Sequence, residues 1–242
     1  MTPLRLAMWS GPRNISTAMM RSWENRGDCA VVDEPLYAHY LAHTGLDHPG
    51  REEVIAAGEP DWRKVAARLV GPVPQGRAIW YQKHMTHHLL PHIGRDWLRG
   101  LTHVFLIRDP REVLISYVRS RPRVTAEDIG VLQQLDIFQH VSELCGCTPP
   151  VIDAAEFLKA PESQLRALCA ELGIAFTPRM LSWSPGPRAS DGVWAPYWYE
   201  AVLRSKGFEP YRAREHKVPP EHQAIIDRVM PAFEVLWERR LR

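Results

Sequence analysis

The residues of this chain best suited to chemistry are cations and hydroxyls set directly behind apolar runs. Ser10-Gly11-Pro12-Arg13-Asn14-Ile15-Ser16-Thr17 follows the apolar stretch Leu4 to Trp9 and leads into Ala18-Met19-Met20-Arg21-Ser22-Trp23. Strand, short Gly/Pro loop and helix in that order build an anion site. The first backbone N–H groups of a helix have no intrahelical partner, and the helix dipole adds about half a positive charge there. Ser16 and Thr17 bring hydroxyl donors, and Arg13 brings a full charge on a planar fork that matches phosphate or sulfate oxygens. The same pattern also fits a plain strand–turn–helix in which Ser16 is only an N-cap.

Similar groups stand behind three further apolar runs. Glu34 follows Cys29-Ala30-Val31-Val32, Lys83 and His84 follow Ala78-Ile79-Trp80-Tyr81-Gln82, and Arg108 follows Thr102-His103-Val104-Phe105-Leu106-Ile107. In open parallel sheets, ligands bind beyond the carboxyl ends of the strands. Cations at three of these four ends predict a substrate with several negative charges, although each alone is equally a solvated strand end. His84, His87, His88 and His92 offer imidazoles, with His84 and His88 at helical i, i+4 spacing. No His-Glu-x-x-His pattern is present and Pro91 disturbs the helix, so no metal site is expected.

Positioning these groups requires strands with helices between them. Helices are expected over about Ile15 to Arg26, stopped by Gly27; over Arg51 to Ala57; from an Asp61 cap to Val70; and over His87 to Leu98. After the fourth run, Asp109 suits an N-cap, Pro110 the first turn and Glu112 a capping box, in a helix expected to reach Arg121 before Pro122. A longer helix covers Ala126 to Leu144. A short strand, Val151-Ile152, and a helix from Pro161 to Leu172 closed by Gly173 come next. Residues 178–191 read as loop, and Trp194 to Ser205 and Glu221 to Arg240 as final helices. Trp183, Trp194, Trp198 and Tyr199 either line an acceptor pocket or belong to the core. Alternating strands and helices predict a three-layer α/β/α fold with a mainly parallel central sheet. No repeat or break in composition divides residues 1–242 into more than one domain.

With 45% hydrophobic residues the chain can bury a substantial core, and a formal net charge of +2 is too small for nucleic-acid binding through a general basic field. No apolar run approaches the ~18 residues of a membrane span, and the first strand begins too early for a signal peptide. Cys29, Cys145, Cys147 and Cys169 lack zinc or CxxC spacing; four free thiols fit a reducing cytoplasm. Nothing in the sequence indicates an oligomeric state.

Taken together, these motifs resemble the sulfotransferase family that uses 3′-phosphoadenosine 5′-phosphosulfate (PAPS). The stretch Gly11 to Thr17 is similar to the family's 5′-phosphosulfate loop. Phe105 to Tyr117 is similar to its 3′-phosphate motif, in which an Arg ends a strand and a Ser eight residues later lies on the next helix; Arg108 and Ser116 keep that spacing. Val151 to Leu158, with Pro161 and Leu172-Gly173, resembles a segment common late in these enzymes. Arg188-Ala189-Ser190-Asp191-Gly192-Val193-Trp194 is similar to a basic, Gly-containing loop over the nucleotide. Asn14 and Ile15 stand where the family usually has Ser and Gly. Glycine permits close backbone approach to phosphate, and Ile15 cannot take a positive φ cheaply, so Ile15 is the loop's most demanding position.

The resemblance implies a P-loop-NTPase-like fold and sulfuryl transfer from PAPS to a hydroxyl of a sugar, lipid, phenol or small metabolite, with no metal required. It places the donor on Gly11, Pro12, Arg13, Asn14, Ile15, Ser16, Thr17, Arg108, Ser116 and Arg188. Arg13 would neutralise charge on the oxygen bridging sulfate and phosphate, and Lys83 would assist at the sulfuryl group. The Lys-Thr-His segment of the cytosolic branch is not intact, this chain having Lys83-His84-Met85. The general base is therefore Glu34, followed by Pro35-Leu36-Tyr37 as in several carbohydrate-sulfating branches, or His84, whose ordinary pKa near 6.5 suits the task. Two rival readings stand beside this one. A P-loop kinase would use Asp33 or Asp109 for magnesium, but the Gly-Lys pair of its phosphate loop is missing and Asp109 is committed to capping. A degenerate relative would bind nucleotide without transfer.

Overall fold

The computed structural model describes residues 2–118, 123–212 and 217–242. Five parallel strands form one sheet: β1 (Leu4–Ser10), β2 (Cys29–Asp33), β3 (Ile79–Met85), β4 (Thr102–Ile107) and β5 (Val151–Asp153), in the order β2-β3-β1-β4-β5. Between β1 and β2 lies α1 (Ser16–Glu24). Between β2 and β3 lie α2 (Tyr37–Thr44), α3 (Arg51–Ala57) and α4 (Trp62–Leu69). Next come α5 (Pro110–Val118), α6 (Ala126–Ile129) and α7 (Val131–Cys145), then α8 (Ala154–Lys159) and α9 (Pro161–Glu171). Two short helices, α10 (Ala195–Trp198) and α11 (Glu200–Arg204), and the long α12 (Gln223–Glu238) complete the set. This is the expected α/β architecture with a parallel sheet.

Side chains alternate across the sheet because a strand has a period of two. Ala7, Trp9, Trp80, Phe105 and Ile107 pack on one face with α7 and α12 residues such as Phe138 and Phe233. Leu6, Met8, Tyr81, Val104 and Leu106 pack on the other with Met19, Met20 and Trp23 of α1. Parallel strands covered on both faces read as the near-continuous apolar runs seen in the sequence.

Several expectations change. The strand β3 runs on through Lys83, His84 and Met85 rather than ending at Gln82. The expected helix His87 to Leu98 is instead two short 3₁₀ turns, Thr86–His88 and Asp96–Gly100; Pro91, which has no N–H to donate, and Gly94 lie between them. The expected helix Ala126 to Leu144 breaks at Gly130, whose φ of 81° only glycine adopts freely. A Cβ there would meet Pro12 Cδ at 3.0 Å, so the break lets α7 begin hard against the β1–α1 loop. The helix after β4 caps on Asp109, which accepts from Arg111 N at 2.8 Å, and the Glu112 carboxylate accepts from Arg108 Nε at 2.8 Å. The expected end of α5 at Arg121–Pro122 lies outside the described residues. The helices α2 and α8 were not expected from the sequence.

Candidate active site

The β1–α1 loop is held from within. Asn14 Nδ2 donates to Leu106 O at 3.0 Å, at the end of β4, and Asn14 Oδ1 accepts from Ile15 N at 2.8 Å. Asn14 is thus the brace that fastens the loop to the sheet. Ile15 sits at φ −87°, an ordinary conformation, and its side chain packs on the α1 face of the core. The expected conflict at Ile15 is absent. The positive φ falls instead on Arg13, at 55°. Helix α1 carries no capping side chain, so Ser16 is not the N-cap; the first-turn N–H groups of Ser16, Thr17 and Ala18 remain unpaired by any cap.

Arg13 reaches across to α5. Its Nε donates to Ser116 Oγ at 2.8 Å, and Arg108 donates to the carbonyl of Arg13. The two anion-binding motifs of the sequence are therefore one constellation, joined at Arg13.

The end of β2 holds the acid–base groups. Asp33 pairs in register with Lys83 of β3, which sets their side chains side by side. Lys83 Nζ donates to Asp33 Oδ1 (2.9 Å), Glu34 Oε1 (2.7 Å) and Tyr199 OH (2.7 Å), so its three protons are all engaged. Tyr199 OH in turn donates to Asp33 Oδ2 at 2.5 Å and accepts from Trp194 Nε1 at 3.1 Å. Burial disfavours the Lys83 charge, but Asp33 and Glu34 outweigh it and hold the ammonium well above the usual lysine range. Burial pushes the Glu34 carboxyl above its ordinary value; Lys83 opposes this and Asp33 adds to it. Glu34 also takes a positive φ, 39°, directly before Pro35. Among the described residues other than glycine only Gln75 shares that trait with Arg13 and Glu34, and strain of this kind collects at functional positions.

Arg13, Ser16, Thr17, Glu34 and Lys83 line one cavity of about 270 Å³, whose wall also includes Tyr37, His88, Trp198 and Tyr199. A second hollow of about 240 Å³ shares Asn14, Thr17, Trp198 and Tyr199 with it and is walled by Ile15, Ala18, Val202 and Phe208. Of the late aromatic set, then, Trp198 and Tyr199 line cavities, whereas Trp183 and Trp194 are buried in the core. Asp33, the rival magnesium ligand, is committed to Lys83 and Tyr199.

Two expected site residues lie elsewhere. His84 does not face the cavity. Because β3 continues through it, His84 points to the opposite side of the sheet from Lys83, stacked on Trp9 with ring centroids 4.5 Å apart. Burial lowers its pKa to about 3, with His103 adding to the shift. Arg188 pairs with Glu24, the last residue of α1, at the end of that helix away from the loop, so it does not reach the donor motifs. Of the four histidines considered for a metal, His87 and His88 stay in contact, with ring centroids 4.5 Å apart, while the others part company. His84 stacks on Trp9, His88 on Tyr37, and His92 Nε2 meets His39 Nε2 at 2.9 Å. Among the described residues no group of three His, Cys, Asp or Glu is placed to hold a metal ion.

The sequence offered Asp33 only as a rival magnesium ligand, Tyr199 only as a pocket or core aromatic and His88 only as a metal candidate; it did not join Asp33 and Tyr199 to Lys83 or set His88 beside Glu34. The β2–β3 register that pairs Asp33 with Lys83 joins residues fifty apart, and Tyr199 enters from the far end of the chain.

Comparison with known proteins agrees with this architecture. In Arabidopsis thaliana, branched-chain-amino-acid aminotransferase-like protein 1 is 37% identical over 230 residues and protein 2 is 34% identical. The alignment takes in 94% of this chain, which spans only 40% of the length of either relative. The fold matches the sulfotransferase domain of the Synechococcus PCC 7002 olefin synthase with a TM-score of 0.58 at 16% identity, covering 96% of this chain and 94% of that one. It matches a sulfotransferase from Alicyclobacillus acidocaldarius with a TM-score of 0.57 at 12% identity, covering 100% and 98%. The family model described as a sulfotransferase domain matches residues 4–239, from the first strand to the end of the last helix. With that span matched, the chain belongs to the sulfotransferase domain family.

Proposed function

We propose that this chain transfers a sulfuryl group from PAPS to the hydroxyl of a small-molecule, carbohydrate or lipid acceptor, with Glu34 as the general base. The observation that carries the reading is the Arg13–Ser116 hydrogen bond, which joins two separate anion motifs through a residue that lines the same cavity as Glu34. A donor carrying both a 5′-phosphosulfate and a 3′-phosphate needs two such motifs; a nucleoside triphosphate needs one.

The donor set suits that group. Three uncapped first-turn N–H groups, the hydroxyls of Ser16 and Thr17 and the Arg13 guanidinium converge on an anion, and Arg108 with Ser116 offers a second anchor. The adjoining apolar hollow beside Ile15 and Phe208 has room for a flat base. PAPS, when bound, supplies an activated sulfur and a phosphate leaving group. Arg13 then faces the charge that grows on the leaving oxygen, where a preorganised cation is most effective. Glu34 Oε2, left free by Lys83, accepts the acceptor's hydroxyl proton, and its raised pKa makes it a stronger base than an ordinary carboxylate. Lys83 acts by fixing Glu34 rather than by touching the sulfuryl group, since its protons are engaged.

The test is a thermal-shift titration with adenosine 3′,5′-bisphosphate without metal, followed by an acceptor screen with labelled PAPS. Stabilisation by the bisphosphate and transfer abolished by Glu34→Gln are expected. Stabilisation by ATP with Mg²⁺ but not by the bisphosphate would overturn the reading.

A further inference from the structure

His88 lines the cavity, and the reaction above leaves its chemistry unused. It ends the short turn Thr86–His88 that follows β3, and it is 2% exposed. Its ring is stacked on Tyr37 at 4.6 Å and 7°, with Tyr40 on it at 4.7 Å. Packing of that kind fixes the ring orientation. Within this packing Nδ1 is buried and has no hydrogen-bond partner. A buried polar atom left unpaired is costly, and in native proteins such an atom calls for an explanation such as a catalytic role or a missing ligand.

The nearest counter-group is Glu34 Oε2, the carboxylate oxygen that Lys83 does not hold. The two atoms are 3.9 Å apart, too far for a hydrogen bond between them. An oxygen at about 2.8 Å from each would see them at an angle of about 90°, which a hydroxyl that donates to one and accepts from the other can satisfy. A direct ion pair is disfavoured, because burial and the neighbouring His87, His48 and Lys83 hold the imidazole neutral.

We propose that His88 Nδ1 and Glu34 Oε2 together hold the acceptor's hydroxyl oxygen, so that His88 is a second acceptor-binding residue of the reaction. This rests on the sulfuryl-transfer reading given above. The Nδ1–H donates to one lone pair of the hydroxyl oxygen while the hydroxyl donates to Glu34. As the oxygen–sulfur bond forms, the proton passes to Glu34. The bond between sulfur and the bridging oxygen breaks, and its electron pair leaves on the phosphate beside Arg13. His88 ends the step as it began, neutral. Its contribution is orientation of the attacking lone pair, which a loosely held alcohol would lack.

The experiment runs the transfer in reverse, from 4-nitrophenyl sulfate to adenosine 3′,5′-bisphosphate, and reads released 4-nitrophenolate. His88→Phe keeps the stack on Tyr37 and removes both nitrogens; His88→Asn sets an amide nitrogen near the place of Nδ1. For His88→Phe, kcat/KM for the sulfate ester is expected to fall about 10–100-fold, with the bisphosphate-induced thermal shift unchanged. His88→Asn is expected to recover most of that loss, to within about threefold of the wild type. Activity of His88→Phe within about twofold of the wild type would overturn the proposal, as would an Asn variant no better than Phe. Loss of the thermal shift in His88→Phe would also overturn it, since His88 would then be supporting the fold. A wild-type protein that neither binds the bisphosphate nor releases nitrophenolate overturns the sulfuryl-transfer reading itself.

Discussion

Arg13 Nε donates to Ser116 Oγ at 2.8 Å across 103 positions of sequence. This one bond ties the loop after β1 to the helix after β4, and Arg108 doubles it by donating to the Arg13 carbonyl. Adjacent strands make the meeting possible, since β1 and β4 are hydrogen-bonded neighbours whose carboxyl ends open on the same side. The positive φ of Arg13 turns its carbonyl and side chain to these partners, a conformation no ordinary residue takes without support.

Removing the Ser116 hydroxyl therefore acts on both anchors. Ser116→Ala is expected to weaken bisphosphate binding about tenfold and to lower transfer by a similar factor, because Arg13 loses its restraint along with the donor's second contact. Arg13→Lys keeps the charge but loses the fork and is expected to lower kcat about 10²–10³-fold. Titration calorimetry with the bisphosphate and steady-state transfer separate the two effects. Equal binding in Ser116→Ala and the wild type would refute the shared anchor.

The pH profile should report Glu34. Its pKa lies above the ordinary carboxylate value, so the base form, and kcat/KM with it, should rise with pH through a limb displaced upward from about 4.3. Lys83 pulls that pKa down. Lys83→Met should thus move the limb to higher pH still, and Glu34→Gln should abolish it together with the rate. A limb that stays in place in Lys83→Met would show that another group is titrating.

Most of the fold was legible in the sequence because each strand is a continuous apolar run and each run ends on polar or turn residues. The proposed anion motifs stood out for the same reason: Arg13 and Ser16, and Arg108 and Ser116, lie close together in sequence, at spacings set by one loop and one helix. What failed was anything decided by a single step of register. Ending β3 at Gln82 left the facing of Lys83 and His84 undecided; the true strand, which ends three residues later, sends Lys83 to the cavity and His84 to Trp9. The joining of Asp33 and Tyr199 in one cluster was hidden for a different reason. Their partner is Lys83, and only the β2–β3 pairing and the path of residues 188–204 bring them to it. Arg188 shows the converse, a motif-like cation that the fold commits to Glu24.

Tyr199 interrupts the run of short helices α10 and α11, and its hydroxyl is the point where the last third of the chain meets the β2–β3 pair. It bonds Lys83, Asp33 and Trp194 in a site that is 4% exposed. Tyr199→Phe keeps the ring and leaves three partners short of one bond each. A stability loss of about 1–3 kcal/mol is expected, read from urea unfolding. Activity should fall further than stability explains, because Lys83 then has a free proton and no longer holds Glu34 in one place. Full activity in a variant that retains bisphosphate binding would show that the hydroxyl serves the fold alone.

Acid should destabilise the protein through histidines on the face of the sheet remote from the site. His103 donates through Nε2 to Leu98 O at 2.9 Å and accepts through Nδ1 from Trp9 Nε1 at 3.0 Å, a pairing that only the neutral ring can make. Burial lowers its pKa to about 4, and lowers that of His84, stacked on the same Trp9, to about 3. Both values lie below the ordinary 6.5. Above that pH the rings are neutral folded and unfolded, and they contribute nothing to the pH dependence. Between pH 6.5 and those depressed values the unfolded chain takes up protons that the folded chain refuses, so stability falls as pH falls. Each such histidine contributes a slope of up to about 1.4 kcal/mol per pH unit, and the fall levels off only below the folded values. Urea unfolding at pH 7, 6 and 5 measures this slope before most carboxylates titrate. His84→Phe, which keeps a ring on Trp9 without a titrating nitrogen, should reduce the slope by the share of one histidine; an unchanged slope would place the acid sensitivity elsewhere.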